Sequence, residues 1–167
     1  APLADIQVHQ TVDVAAPSPR LVLVQALAKG DRDELAVQAA TELGVDEIVP
    51  WQAARSVSRW DAAKAAKGVA RWQQIVREAA KQAHRAWVPR VTDPVTSAAL
   101  AVRAGTDRVL VLEPTASAPL SGIEIADGDD RALVLVVGPE GGVAPDELEA
   151  LAAAGAELVR LGDTVLR

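Results

Sequence analysis

The chain has 167 residues, half of them apolar, with no cysteine, no methionine, two histidines (His9 and His84) and a formal net charge of −6. That length and apolar share suit one buried core and hence one main domain; the missing thiols exclude a disulfide framework and thiolate metal sites, and two isolated histidines are too few for a metal cluster, so no metal is expected. There is no apolar run of about eighteen residues and no charged start followed by an apolar core, so neither membrane insertion nor export is predicted and the chain reads as cytoplasmic. Starting at Ala1 without any methionine, it reads as a piece of a longer product.

In chain order, residues 6–14 alternate weakly and precede "APSP", which predicts an edge strand and then a linker. Residues 21–27 form the first β-branched, nearly unbroken apolar run, as expected of a strand buried on both faces. A helix is predicted over 31–43, with Asp31 and Glu34 spaced like a capping box and Gly44 as its stop. A second short strand follows at 48–51. Residues 61–87 predict a long helix on which Trp72, Ile75, Val76, Ala79, Ala83 and Ala86 form an apolar stripe, while Arg77, Lys81 and Arg85 recur four apart on another face.

That helix carries most of the chain's positive charge. Between Arg55 and Arg90 stand nine Lys and Arg against only Asp61 and Glu78, a local balance of +7 in a chain whose remainder sums to −13. Counterion release depends on local phosphate contacts and not on the overall charge, so an acidic protein with one basic segment can hold a polyanion. A solvated helix face fits the same residues. Gln82 and His84 flank the basic row and could hydrogen-bond to RNA, although a lone histidine there also reads as a surface or capping residue.

Four further elements complete the pattern. Strands are predicted at 109–112, 133–137 and 158–161, an irregular connection over 113–130, and a helix over 145–154 with Pro145 at its first position, Asp146 and Glu147 at the positive end of its dipole, and Gly155 as its left-handed exit. Strand and helix alternate. The expected fold class is therefore α/β, a mostly parallel sheet flanked by helices.

Between the strand at 133–137 and the helix at 145 lies the turn Gly138, Pro139, Glu140, Gly141 and Gly142. A buried strand running through glycines into a helix puts backbone N–H groups at the carboxyl end of the sheet, and glycine lets a ligand approach them. The turn is neither G-x-G-x-x-G nor G-x-x-x-x-G-K-[ST], so ordinary dinucleotide and nucleoside-triphosphate binding are disfavoured. By physics alone, a plain strand-to-helix turn stiffened by proline remains open.

The wording of these segments is more specific than their pattern. "VVGPEGGVAPDELE" (136–149), "VRLGDTVLR" (159–167), "LVQALAKGDRDELAVQAATELGVDEIVPWQAARSV" (23–57) and "RWQQIVREAAKQAHRAWVPRV" (71–91) together resemble, in order, the bacterial methyltransferases that modify nitrogen 3 of a uridine in small-subunit (16S) ribosomal RNA, members of the knotted SPOUT superfamily. The resemblance spans roughly residues 21–167. It implies S-adenosylmethionine as methyl donor, held in a C-terminal trefoil knot and not on a Rossmann fingerprint, and a homodimer with the donor near the subunit interface. Carried onto this chain, the donor loops are Leu112 and Glu113, the turn Gly138, Pro139, Glu140, Gly141 and Gly142, and Leu161, Gly162, Val165 and Leu166. Lys29, Arg32, Arg55, Gln82 and Arg85 fall around the RNA-facing cleft, joined by Arg77 and Lys81 from the basic row.

The resemblance also implies a division of the chain. Residues 1–19 correspond to the end of a small N-terminal RNA-binding β-barrel and its linker, and 20–167 to the methyltransferase domain. Family chains continue past "VLR" with a polar segment and a helix that completes the knot, and often carry a lysine where this sequence has Ala39. Methylating an imide nitrogen spreads negative charge onto the uracil oxygens, so a positioned cation, for which Arg167 is the candidate, matters more than a conventional base. No general base is assigned: Glu140 is one by side-chain type, but as a carboxylate beside the turn it also suits capping amides. Two alternatives stand beside methyl transfer, an RNA-binding module of the same fold without activity and an unrelated nucleotide-binding α/β regulatory domain.

Overall fold

A computed structural model describes residues 7–162 of the chain. The apolar runs become strands β1 (Leu21–Ala26), β2 (Glu47–Trp51), β4 (Arg108–Leu112), β6 (Leu133–Val137) and β7 (Glu157–Arg160). Two residue pairs extend the sheet at its margins, β3 (Arg90–Val91) and β5 (Ala118–Pro119). All pair in parallel in the order β3-β2-β1-β6-β4-β7-β5, so the expected parallel α/β architecture is present.

Helices cover both faces because alternate residues of the central strands point to opposite sides. On one face α1 (Arg32–Glu42) and α2 (Ala62–Gln82) close over Leu23, Leu27, Val37, Ile48, Trp72 and Val76. Across the sheet, α3 (Ser97–Arg103) and α4 (Pro145–Ala153) close over Val24, Trp51, Leu100, Val111, Val134 and Leu151. Trp72 is completely enclosed and meets Trp60 edge-on at 5.4 Å between ring centroids. Gly68 of α2 makes that possible, since a Cβ there would stand 2.4 Å from the Trp60 ring.

Several expectations are corrected. Residues 7–14 form no strand and are exposed; the sheet's margins belong to β3 and β5, and a strand needs a ladder partner. The capping box at Asp31 does not form: Asp31 has φ −110° and ψ 12°, outside the extended geometry that turns a capping side chain inward, and makes no cap hydrogen bond. Asp33, in the first turn of α1, instead accepts from the N–H of Ala28 at 3.3 Å and of Glu34 at 2.9 Å, while Glu34 forks onto Arg71 of α2 at 2.8–3.2 Å.

The long helix stops at Gln82 and not at Trp87. His84 turns left-handed at φ 52°, and the Arg85 N–H folds back to the Ala80 carbonyl, so Ala83 is the cap and Ala86 lies beyond the stripe. Helix α3 and strand β3 were not foreseen; β3 is too short to show a period, and α3 is started by Thr96, whose side chain accepts from the Ala99 N–H. The exits at Gly44 and Gly155 do turn left-handed, at φ 108° and 103°.

Candidate functional site at the carboxyl edge of the sheet

The strand order changes direction between β1 and β6. From β1 the chain passes to α1 and onward to β2, whereas β6 leads into α4 on the opposite face. Ligands of open α/β sheets bind in the crevice outside the carboxyl ends at such a switch point. Here the crevice lies between the loop after β1 and the glycine turn after β6, with a cleft of about 500 Å³ lined by Lys29, Gly30, Asp31, Arg32, Val57 and Glu140.

Sheet order also gathers the ends of β6, β4 and β7. Leu112 stands beside Val137 on one side and Val159 on the other, so Leu112 and Glu113, the turn 138–142, and Leu161 with Gly162 follow three adjacent strand ends. The Glu113 N–H donates to the Val159 carbonyl at 2.9 Å, and its carboxylate accepts from the Thr115 N–H and hydroxyl at 3.2 and 2.9 Å. Arg160 of β7 donates to the Ala116 and Ser117 carbonyls, which holds the same loop down. Val165, Leu166 and Arg167 lie outside the described residues.

The turn itself is tight and bare. The Gly142 N–H closes it on the Pro139 carbonyl at 2.8 Å, and Gly142 has φ 74°, a conformation that favours glycine. Val143 fills the space over Gly138, where a Cβ would stand 2.7 Å from its Cγ2, so that glycine serves the turn's own packing. Among the described residues, nothing lies within 4 Å of where a Cβ would stand on Gly142 or Gly162, which leaves room for a ligand beside them. An uncovered backbone on neighbouring strand ends is a fitting seat for the polar amino-acid and nucleoside parts of S-adenosylmethionine.

Three cations border the turn. Glu140 accepts from the Lys29 N–H at 3.1 Å and pairs with Arg32 at 3.5 Å. Its own amide, the Lys29 amide and the nearby Arg32 and Lys29 charges hold its carboxyl below the usual range. Arg55, from the loop after β2, donates to the Gly141 carbonyl at 3.2 Å. Lys29, Arg32 and Arg55 are exposed.

The rest of the basic row goes elsewhere. Helix α2 starts past the carboxyl end of β2 and runs back toward the start of β3, so Arg77, Lys81 and Gln82 sit exposed on its outer part toward the opposite edge, with Lys81 paired to Glu78 at 3.4 Å. Arg85 is folded inward at that opposite edge. It donates to the carbonyls of Thr41 and Gly44 at 3.1 Å each and to that of Val45, and pairs with Asp46 at 3.4 Å.

Sequence reasoning missed two participants near the turn. Val57 is an exposed apolar wall of the cleft, and Glu147, read only as a dipole-complementing charge, is buried under the turn. Its carboxylate accepts from the N–H groups of Ala54 at 2.9 Å and Ala144 at 3.3 Å and from the Ser97 hydroxyl. The only local signal for the Ala144 contact is a glutamate three residues after the cap; the other partners are distant in sequence.

The family model described as "RNA methyltransferase domain" matches residues 16–167. The chain belongs to this family of RNA methyltransferase domains. It is 48% identical over 154 residues to ribosomal RNA small subunit methyltransferase E of Mycobacterium bovis, and 36% identical over 154 residues to the Bacillus subtilis protein of that name. These alignments cover 89% of this chain and 58% and 60% of the relatives, so the domain spans somewhat over half their length. Among solved structures, the Neisseria gonorrhoeae methyltransferase E bound to S-adenosyl methionine superposes with a TM-score of 0.78 at 34% identity, over 88% of this chain and 60% of the other. A Legionella pneumophila protein solved with the cofactor SAM gives 0.83 at 30% identity, over 93% and 64%.

Proposed function

We propose that this domain methylates nitrogen 3 of a uridine in small-subunit (16S) ribosomal RNA, with S-adenosylmethionine as donor, in the cytoplasm and as a homodimer. One observation carries the reading: a bare glycine turn shares three adjacent strand ends with Leu112 and Leu161 and is bordered by Lys29, Arg32 and Arg55. The named relatives and the donor-bound structures of similar fold support it. In this reading residues 1–19 are the end of an N-terminal RNA-binding barrel and its linker, and 20–167 are the knotted methyltransferase domain.

Each residue then has a task. S-adenosylmethionine, when bound, supplies an electrophilic methyl group on its sulfonium. Leu112, Glu113, residues 138–142, Leu161 and Gly162 form the donor seat, to which the family resemblance adds Val165 and Leu166. Lys29, Arg32 and Arg55 neutralise phosphates beside it, and Arg77, Lys81 and Gln82 extend the basic face along α2. Arg85 is left out, because its guanidinium already serves three carbonyls and Asp46. As the uracil imide gives up its proton to solvent, Arg167 holds the negative charge that spreads onto the ring oxygens, a role typically worth about 2.7–4 kcal/mol. Glu140 accepts from the Lys29 N–H and pairs with Arg32, which makes it a latch between two loops, and a carboxyl held below its usual range is a weaker base.

The test is calorimetric titration of S-adenosylmethionine into the complete gene product that contains this chain, with Gly141→Val as comparison. A Cβ at Gly141 meets the Arg55 side chain at 3.6 Å, so the valine's methyls crowd both the turn and its cation. Donor binding that the valine abolishes is expected. RNA binding without donor binding would leave an inactive RNA-binding domain, and binding of neither would point to another small-molecule ligand.

A further inference from the structure

Glu147 is 7% exposed, and its carboxylate accepts three hydrogen bonds. Oε1 takes the Ala54 N–H and the Ser97 hydroxyl, and Oε2 takes the Ala144 N–H. The Ser97 oxygen in turn accepts the Trp51 indole N–H at 3.1 Å, which directs the hydroxyl proton toward Glu147. A buried charge is costly unless its hydrogen-bonding capacity is used, and here it joins three separate pieces of chain: the loop after β2, the start of α3 and the entry to α4. An ordinary helix cap needs only the last of these.

Two of those pieces are the ones that meet at the site. Ala54 precedes Arg55, whose tip rests on the Gly141 carbonyl; Ala144 follows Val143, whose side chain fills the space over Gly138. The loop bearing Arg55 is thus tied to the glycine turn twice, once through its backbone by Glu147 and once through its side chain. Displacing the turn displaces the cation.

We propose that Glu147 is a positioning residue that makes the glycine turn and the Arg55 loop one hydrogen-bonded unit, so that donor and RNA each raise the affinity for the other. The proposal rests on the reading of the turn as donor seat and of Arg55 as an RNA contact. By linkage the two ligands must strengthen each other by the same factor, expected to be about fivefold or more. An amide in place of the carboxylate keeps the shape but sets a donor against a donor, so Glu147→Gln uncouples the unit.

The experiment measures the affinities of S-adenosylmethionine and of a small-subunit RNA transcript, each with and without the other, for the complete gene product and its Glu147→Gln, Arg55→Ala and doubly substituted forms, all well below their melting temperatures. Mutual tightening is expected in the unsubstituted protein, lost in Glu147→Gln, with Arg55→Ala costing RNA affinity in the unsubstituted background and little more in the Glu147→Gln background. Additive losses, or a Glu147→Gln protein that melts lower yet keeps both affinities and their coupling, would overturn the proposal. Should Glu147→Gln fail to fold, the unsubstituted protein and Arg55→Ala still decide: no mutual tightening, or tightening that survives Arg55→Ala, overturns it. Failure of the unsubstituted protein to bind either ligand would instead sink the methyltransferase reading, and this inference with it.

Discussion

The two edges of the sheet use the same residue types for opposite ends. At the amino edge, Arg85 and Arg103 have side chains 13% and 22% exposed and are occupied by backbone carbonyls, Asp46, Glu47 and Asp107 at 2.6–3.4 Å. At the carboxyl edge, Arg32 is 61% exposed and makes one long pair with Glu140 at 3.5 Å, and Arg55 reaches a single carbonyl. A parallel sheet has all its strands ending on one side, and the loops that follow them, free of packing duties, leave cations available for a ligand. Arg85 and Arg103 are therefore staples, whereas Arg32 and Arg55 face solvent, and burial distinguishes the two pairs.

The sharpest way to break that comparison is Arg85→Ala. Removing a charged donor from three carbonyls and a carboxylate is expected to cost about 3 kcal/mol. That corresponds to a melting temperature lower by about 6–12 °C. RNA affinity should stay within about twofold of the unsubstituted protein, because the guanidinium is taken up by three carbonyls and Asp46. An unchanged melting temperature with weakened RNA binding would reverse the assignment.

A smaller effect is expected at the other edge from Gly142→Ala. Forcing an ordinary residue into the left-handed conformation at φ 74° costs roughly 1–2 kcal/mol. Urea unfolding reads this loss, and donor affinity should fall with it because the turn relaxes away from that geometry. Full stability with alanine would show that the turn does not need glycine there.

The smallest effect concerns the Glu140 latch. Its folded carboxyl lies below the ordinary value of about 4.3, so its contribution is complete above that value and is lost as pH falls through the folded one. Glu140→Gln should melt slightly below the unsubstituted protein at pH 7, with the gap closing in acid. A gap that widens as pH falls would give the latch the wrong sign.

Much of the frame was legible in the chain. The β-branched runs became strands because a sheet covered by helices on both faces accommodates four or five consecutive apolar residues, and Gly44, Pro145 and Gly155 marked helix ends through backbone chemistry that needs no partner. Arg85 was misleading for the opposite reason. Its spacing from Arg77 and Lys81 held only while the helix continued, and the left-handed His84 swung it off that face. The inward aspartate stands two residues later than the capping spacing suggests, because Asp33 in the first turn of α1, and not Asp31, meets the Ala28 and Glu34 N–H groups.

By itself, then, the sequence determined the α/β alternation, the five longer strands, the glycine turn and the motifs that mark the family, since these depend on local propensity and on the wording of contiguous segments. Only the tertiary structure decided which strand ends are neighbours, which arginines are buried, and that Glu147 gathers donors from Ala54, Ser97 and Ala144. The contacts of Arg85 and those of Glu147 with Ala54 and Ser97 join residues 39 to 93 positions apart, and such pairings follow from how the sheet is ordered and not from any window of the chain.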